Sequence, residues 1–491
     1  MGSKYKIHSI KYNAIMNVIL KMSSFIFPLI TFPYVSRVLK AASYGRVSFA
    51  TSVVSYFILV ASLGVPAYGV RKCAEIRDDE KKLVKTVKEL LAINTISLTL
   101  TYIAFVVFLI LVPRFREDST LLLISSLTIV LQTFGVEWFY QAIEQYDYIT
   151  IRNIAFKIIS IILMFIFVHS PNDYVIYCSI NVFATVGSNI LNITRLPQIV
   201  NFKVKTNLDL KQHLIPIFTL FFYYAATQIY TNLDTVMLGF MTNTSVVGFY
   251  NASVKIKNVL VSVVTALGSV ALPRVSFYLS HERKEDFYRL ISNSFSFVLF
   301  VAIPLSIYFT IEAKPVLLFL AGEEYAPAVS SMQAITPAVI FIGIGSVTAY
   351  QLLIPLKKDK ITFLGAVSGA VIDFIINLIL IPNYGSTGAA IGTLCAEILV
   401  VIIHLVALHD LLPKVFDKKD FLKIIISAAI SACALITIVK QVQLLSYFLQ
   451  FVITVLLFGI TYYLTAILLK EKISIKVLKD LKARFYPKGK A

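Results

Sequence analysis

The chain has 491 residues, of which 58% are hydrophobic and 15% are charged. Soluble domains have roughly 25% charged residues, so this composition excludes an ordinary water-soluble protein. The net charge of +18 leaves a nucleic-acid partner open until the positions of the basic residues are considered.

Apolar segments long enough to cross a bilayer, about 20 residues each, follow one another through most of the chain. Because the hydrocarbon region offers no water to backbone N–H and C=O groups, each segment is predicted to form a helix. The fourteen predicted spans are residues 12–36, 43–66, 89–112, 119–140, 147–169, 174–194, 213–241, 246–272, 288–311, 327–355, 361–381, 385–408, 421–439 and 444–469. The sequence therefore predicts an all-α polytopic membrane protein.

The number of basic residues alternates between successive breaks. Of the 45 Lys and Arg residues, 34 fall in or beside the breaks on one side, seven on the opposite side and four inside spans. An excess of basic residues in short loops marks the cytoplasmic side, so both termini are predicted to be cytoplasmic. The basic charge is therefore explained by topology, and no nucleic-acid partner is expected.

Two segments of similar design indicate an internal repeat. They are YGRVSFATSVVSYFILVASLGVPAYGVRK from Tyr44 and VGFYNASVKIKNVLVSVVTALGSVALPRVS from Val247, and each runs through a Leu-Gly pair into a basic loop. Six spans separate them, so the copies would have the same orientation, as in transporters built from two parallel repeats. We expect an N-terminal lobe at residues 1–200 (spans 1–6), a C-terminal lobe at 201–412 (spans 7–12), and spans 13 and 14 with a basic cytoplasmic tail at 413–491.

Four lysines lie inside the predicted spans: Lys21, Lys157, Lys255 and Lys257. A lysine at the bilayer centre costs about 2.5 to 3.5 kcal/mol on insertion scales. Lys157 and Lys257 lie near the midpoints of spans 5 and 8, where the side chain reaches the headgroups poorly. These lysines are therefore predicted to face protein or water.

Polar residues at helical spacing favour a hydrated interior, because residues three or four apart lie on one helix face. Five spans have such stripes: Asn13, Asn17, Lys21 and Ser24 in span 1; Asn153, Lys157 and Ser160 in span 5; Tyr224, Gln228, Thr231 and Asp234 in span 7; Asn251, Lys255, Asn258 and Ser262 in span 8; Gly369, Asp373 and Asn377 in span 11. Lys257 lies roughly opposite the span 8 stripe, so one of Lys255 and Lys257 is expected to line the same space. The pattern predicts two six-helix lobes around a central cavity, with two extra C-terminal helices.

The residues predicted to bind a substrate in this cavity are Lys21, Lys157, Lys255, Lys257, Asn17, Asn251, Asn258, Gln228 and Asn377. Asp234 and Asp373 are candidates for ion coupling or for structural salt bridges. A cationic cavity favours an anionic or phosphate-bearing substrate, since Lys binds phosphate as a point charge. A lipid diphosphate carrying a sugar chain would suit it, with lysines on the diphosphate, hydroxyl and amide groups on the sugar, and the lipid tail in the bilayer.

Three stretches of the chain resemble the Wzx-type oligosaccharide repeat-unit flippases of the multidrug, oligosaccharidyl-lipid and polysaccharide exporter superfamily. They are EWFYQAIEQYDYITIRN (137–153), TNLDTVMLGFMTNTSVVGFYNASVKI (231–256) and NYGSTGAAIGTLCAE (383–397). The resemblance implies two lobes that move by alternating access and carry an undecaprenyl-diphosphate-linked oligosaccharide from the cytoplasmic to the outer leaflet of a bacterial inner membrane. The cargo would serve O-antigen, capsule or exopolysaccharide assembly, with membrane lipids around the protein and polysaccharide polymerase and glycosyltransferases as candidate partners.

Two other classes of protein compete with a flippase. A drug or metabolite antiporter of the same superfamily would favour an acidic cavity, whereas lysines outnumber acids in the middle of these spans. An integral-membrane glycosyltransferase or polymerase would need a sizeable loop with catalytic carboxylates or a metal, and the predicted outer loops are short. Four Cys and six His show no metal-ligand spacing, so we expect a transporter with no metal and no cofactor.

Overall fold

The computed structural model describes residues 9–266, 274–275, 277–279, 281–442 and 445–485. These residues form helices and connecting turns, with no strand among them. The chain divides into two compact units, residues 1–248 and 249–491. The predicted all-α class is confirmed, and the lobe limits expected at residues 200 and 412 stay predictions.

The first unit is built from ten helices in its described part, joined by short connections. They are α1 (Ile10–Ser62), α2 (Val65–Glu75), α3 (Glu80–Leu111), α4 (Pro113–Glu117), α5 (Ser119–Phe134), α6 (Glu137–Ala142), α7 (Tyr146–Phe167), α8 (Tyr174–Val182), α9 (Asn189–Ile199) and α10 (Lys211–Met241). A 3₁₀ turn (Pro171–Asp173) precedes α8, and a π-helical turn (Phe183–Gly187) follows it.

The boundary between the units falls within α11 (Thr244–Thr265). The described helices that follow are α12 (Lys284–Ile311), α13 (Ala313–Ala321), α14 (Val329–Ile335), α15 (Ala338–Ser346), α16 (Asp359–Ala407), α17 (Leu412–Val415), α18 (Lys418–Val442), α19 (Tyr447–Leu468) and α20 (Lys472–Phe485). A 3₁₀ segment (Glu323–Ala328) precedes α14, and a π-helical segment (Val347–Leu353) extends α15.

Two long helices each contain a pair of predicted spans. In α1 the helical backbone breaks at Lys40, where φ is 66°, between predicted spans 1 and 2. In α16 it breaks at Gly385, the first residue of predicted span 12, where φ is 50°. A positive φ ends right-handed helix geometry, and glycine adopts it without a steric penalty.

Nine helices in the described part of the chain are long and apolar enough to cross a membrane, or ten if the bent pair Glu323–Ile335 and Ala338–Leu353 is one span. Two of the nine are the broken helices, each long enough to cross twice. A multi-pass membrane protein is therefore confirmed, and fourteen is an approximate number of spans. Residues 267–272 of predicted span 8, residue 444 of span 14 and the tail beyond residue 485 lie outside the described residues.

The C-terminal helix begins at two carboxylates. The Glu471 side chain accepts hydrogen bonds from the backbone N–H groups of Ile473 (2.8 Å) and Ser474 (2.6 Å), and Asp420 accepts one from Lys472 (3.0 Å). These bonds satisfy N–H groups that have no partner within the helix. Burial raises the pKa of the Glu471 carboxyl above its ordinary value.

Glycines allow close contact between the second half of α1, with the turn that follows it, and α10 with the start of α11, within the first unit. A Cβ on Gly45 would lie 1.8 Å from the Thr244 carbonyl oxygen, and one on Gly64 would lie 2.2 Å from the carbonyl oxygen of Ile217. A Cβ on Gly239 would lie 2.1 Å from the Phe49 ring. The second half of α1 therefore packs along α10 in a way that side chains larger than hydrogen would prevent.

Substituting Gly45 tests this packing. Gly45→Ala is expected to destabilise the protein by about 1 to 3 kcal/mol, since overpacking displaces neighbouring backbone. The measurement is the midpoint of thermal unfolding in detergent. Gly459→Ala in α19 is the matched control, because a Cβ there meets nothing within 4 Å. Equal midpoints for the two variants would contradict the described contact.

Candidate functional site

The Lys157 ammonium lies against α1. Its Nζ donates hydrogen bonds to Ser23 Oγ (3.0 Å) and Ser24 Oγ (3.1 Å). The two hydroxyls accept these bonds because their own protons go to the Leu20 carbonyl oxygen, at 2.7 and 3.3 Å. The predicted stripes of spans 1 and 5 thus meet at Lys157 and Ser24.

This arrangement leaves the ammonium with unused bonding capacity. An ammonium has three N–H donors, and the serines take two of them. Among the described residues the third has no acceptor. The Glu137 carboxylate interacts electrostatically with Lys157 and sets one negative charge near it. Lys157 is half-buried and can offer its remaining donor to an anionic ligand.

A second cation of α7 is fully buried in an ion pair. Arg152 Nη2 lies 2.9 Å from Glu137 Oε2, and the Arg152 and Glu137 side chains are 2% and 33% exposed. Arg152 Nη1 also donates to the Ser188 carbonyl oxygen (2.7 Å) and to Asn189 Oδ1 (3.2 Å). The pair connects α7 to α6 and to the start of α9, and it fixes the Glu137 carboxylate, which interacts electrostatically with Lys157.

Sequence reasoning missed this pair. Arg152 lies at the start of the fifth span, where its charge is readily assigned to the adjoining loop. Both residues belong to the stretch EWFYQAIEQYDYITIRN. Within this stretch Arg152 is the single basic residue and Glu137 is one of three acidic residues, which was the available signal.

A cavity of about 610 Å³ lies within the first unit. Its walls come from the second half of α1, from α2, α5, α6, the π-helical turn and α10. The polar and aromatic residues that line it are Ser55, Ser62, Thr128, Gln132, Glu137, Trp138, Gln141, Thr185, Tyr224 and Gln228. Hydroxyl and amide groups supply most of the polar lining, and Glu137, which interacts electrostatically with Lys157, also lines the cavity.

The indole of Trp138 forms part of this cavity wall. Trp138 is buried, and its Nε1 has no hydrogen-bond acceptor among the described residues. Its ring packs on Gly69, where a Cβ would lie 2.5 Å from the ring. The wall therefore contains an aromatic ring that is held in place by its packing on Gly69.

The other predicted site residues of the first unit are placed as follows. Lys21 is exposed and Asn17 is half-buried on α1, in the same polar stripe as Ser24. Gln228 is exposed on α10 and lines the cavity, whereas Asp234 is buried in that helix. The structure brings Lys157 and Ser24 together and places Gln228 in the cavity.

In the second unit, Lys255, Lys257 and Asn251 are half-buried on α11, and Asn258 is exposed. Asp373 and Asn377 of α16 are fully buried. A Cβ on Gly392 would lie 2.4 Å from Asn377 Oδ1 and 2.9 Å from Asp373 Oδ1, so both polar groups pack against the second half of α16. The roles of all these residues in binding or ion coupling stay predictions.

Among the described residues, no group of three or more His, Cys, Asp or Glu side chains could hold a metal ion. The polar groups described above are instead of the kind that bind anions and hydroxyl-rich ligands.

Comparisons with known proteins find similar transporters and flippases. A protein from Escherichia coli strain K12 that is assigned as an O-antigen transporter is 23% identical over 405 residues, which cover 82% of this chain and 97% of that protein. The structure titled as the lipid II flippase MurJ in an inward closed conformation matches with a TM-score of 0.70 and 18% identity, over 92% of this chain and 99% of that one.

A multidrug resistance MATE family transporter of the MOP superfamily, in an inward-facing conformation, matches with a TM-score of 0.62 and 12% identity, over 82% of this chain and 98% of that one. At these identities the two structures show a shared fold. The resemblance to Wzx-type flippases seen in the sequence is confirmed by these matches together with a family model.

That model describes polysaccharide biosynthesis proteins and matches residues 10–279. Because the match spans more than half of the chain, the protein belongs to the polysaccharide biosynthesis protein family.

Proposed function

We propose that the protein flips an undecaprenyl-diphosphate-linked oligosaccharide repeat unit from the cytoplasmic to the outer leaflet of a bacterial inner membrane. The observation that carries the proposal is the Lys157 ammonium, which lies inside a predicted span, is held by two serines and keeps one N–H donor for a ligand. The protein would be a transporter with both termini cytoplasmic, and its cargo would serve O-antigen, capsule or exopolysaccharide assembly.

In this proposal Lys157 binds the diphosphate of the cargo. An ammonium attracts phosphate oxygens strongly in a site with little water. Ser23 and Ser24 hold the ammonium in one place, so little side-chain entropy is lost when the anion binds. Lys21 lies one turn before Ser24 and would add a second positive charge as the cargo enters.

The sugar would occupy the cavity of the first unit. Its volume of about 610 Å³ lies within the range of small-molecule sites. Serine, threonine and glutamine side chains supply donors and acceptors for sugar hydroxyls, and the fixed Trp138 ring supplies an apolar surface for a sugar face. The lipid tail would stay among the acyl chains.

Alternating access would carry the bound cargo across. The fold similarity to proteins whose structures are titled inward closed and inward-facing supports a cycle of this kind. The close packing of α1 against α10 at Phe49 and Gly239 is one contact that such a cycle would have to preserve or open.

Deleting the gene in its host tests the function. Completed lipid-linked units are expected to accumulate in the cytoplasmic leaflet, because synthesis continues while transfer stops. The leaflet is determined by whether a membrane-impermeant reagent modifies the sugar in sealed cells. Accumulation of unfinished units would contradict the proposal and indicate an enzyme of sugar assembly.

Thiol labelling tests whether the cavity is wet. In a variant in which Cys73, Cys178, Cys395 and Cys433 are replaced by serine or alanine, Thr128→Cys is expected to react with a water-soluble maleimide. Leu127→Cys is the matched control, because Leu127 is the preceding residue of α5, is exposed and does not line the cavity. Within lipid its thiol should react at least tenfold more slowly. Equal inertness of the two thiols would contradict a hydrated binding cavity.

A further inference from the structure

A chain of buried hydrogen bonds joins three helices of the first unit. Tyr68 Oη of α2 lies 2.8 Å from His213 Nδ1 of α10, and His213 Nε2 lies 2.9 Å from Glu89 Oε2 of α3. The His213 and Glu89 side chains are 2% and 1% exposed. None of these residues lines the cavity or contacts Lys157, so the proposed transport site leaves the cluster without a role.

Glu89 also contacts two residues at the edge of the cluster, Asp209 and Lys85. Glu89 Oε1 accepts a hydrogen bond from the backbone N–H of Asp209 (2.7 Å), and Lys85 Nζ lies 3.7 Å away. Asp209 is exposed and Lys85 is half-buried, so a proton has a short path to water. Tyr68 also interacts electrostatically with Arg71, Cys73 and Glu75 of α2.

Protonation changes this cluster in a definite way. In a neutral imidazole one ring nitrogen donates and the other accepts, so Nε2–H donates to the Glu89 carboxylate and Nδ1 accepts from the Tyr68 hydroxyl. An added proton binds Nδ1, which then donates to Tyr68 Oη. The His213 ring becomes positive beside the Glu89 carboxylate, and the bond between α10 and α3 becomes charge-assisted on both sides.

The cluster lies where α10 is least constrained by its own backbone. His213 is in the first turn of α10, and Pro216 follows within the helix. Proline has no N–H, so the carbonyl of Gln212 loses its usual helical partner at this point. The attachment of His213 to Glu89 and Tyr68 therefore helps to fix the direction in which α10 starts.

We propose that His213, Glu89 and Tyr68 form a proton-binding site in which an added proton strengthens the attachment of the start of α10 to α2 and α3. Histidine is suited to this task because its charge changes near physiological pH. The further step, that proton binding here controls the rate of flipping, rests on the proposed function.

The single tryptophan of the chain provides a test that needs no substrate. Trp138 packs on Gly69, the residue next to Tyr68, so its fluorescence should respond when the attachment of α10 to α2 changes. In the purified full-length protein, a sigmoidal change in emission is expected as the pH is varied. His213→Gln should abolish the change, and persistence of the change in that variant would overturn the proposal.

Two further variants keep this test decisive. Glu89→Gln is nearly isosteric and should move the midpoint to lower pH, because the imidazolium loses its counter-charge; an unchanged midpoint would count against the site. His409→Gln is the matched control, since His409 also lies beside a carboxylate, at 3.1 Å from Asp410, but is exposed. It should keep the wild-type transition.

The coupling to flipping is measured separately in vesicles with an imposed pH difference. Flipping by the wild-type protein should change with that difference, and His213→Gln should remove the dependence. Flipping that is indifferent to pH in the wild-type protein would overturn the coupling alone. Absence of flipping in every variant would instead contradict the proposed function and leave the fluorescence result standing.

Discussion

Replacing Lys157 by alanine is expected to reduce sugar export by about 10- to 100-fold. A hydrogen bond to a charged group contributes about 1.5 to 3 kcal/mol, and each 1.4 kcal/mol corresponds to a factor of ten. The variant removes the ammonium held by Ser23 and Ser24 and leaves its neighbours in place. The measurement is cell-surface polysaccharide in a deletion strain that expresses each variant at matched membrane levels.

Lys81→Ala is the matched control for charge and composition. Lys81 is exposed near the start of α3 and has no place in the proposed site, so its variant should export like the wild type. Lys157→Arg keeps a positive charge but changes its shape, and it should fall between the two. If Lys157→Ala exports sugar at the wild-type level, Lys157 does not bind the diphosphate.

Truncating Glu137 is expected to lower the free energy of unfolding by about 3 kcal/mol, because it leaves a buried guanidinium without its counter-charge. Glu137→Ala should therefore lower the midpoint of thermal unfolding in detergent. Arg152→Met should cost less, since the carboxylate it leaves behind is one-third exposed and can be solvated. The specific expectation is that Glu137→Ala lowers the midpoint of thermal unfolding more than Arg152→Met does.

An exposed ion pair provides the comparison for this second experiment. Glu117 pairs with Arg114 and its side chain is 63% exposed, so Glu117→Ala should change the stability by less than about 1 kcal/mol. If Glu137→Ala is no more destabilising than Glu117→Ala, the Arg152–Glu137 pair does not hold α6, α7 and α9 together as described.

Hydrophobic length and helical spacing predicted much of the architecture from the sequence. The break at Lys40 falls between predicted spans 1 and 2, and the break at Gly385 falls at the first residue of predicted span 12. The polar stripes of spans 1 and 5 meet at Ser24 and Lys157. These features follow from local rules, because a span length and a helix face depend on residues close together in the chain.

The buried ionic contacts could not be predicted in the same way. Glu89 and His213 are separated by 124 positions, and no periodicity connects residues that belong to different helices. The role of Ser23 could not be predicted either. It lies beside the predicted stripe, yet its hydroxyl accepts a hydrogen bond from the Lys157 ammonium, as that of Ser24 does. Such pairs depend on how helices pack, which the spacing of residues within one helix does not determine.

Flipping by the purified protein tests the central claim most directly. Proteoliposomes would contain the full-length chain and a fluorescent undecaprenyl-diphosphate-linked sugar, and a membrane-impermeant reagent would quench the probe in the outer leaflet. With the wild-type protein and with Lys81→Ala the protected fraction should become accessible, whereas Lys157→Ala should slow this transfer by about 10- to 100-fold. Transfer by the wild-type protein at the rate of protein-free vesicles would contradict the account.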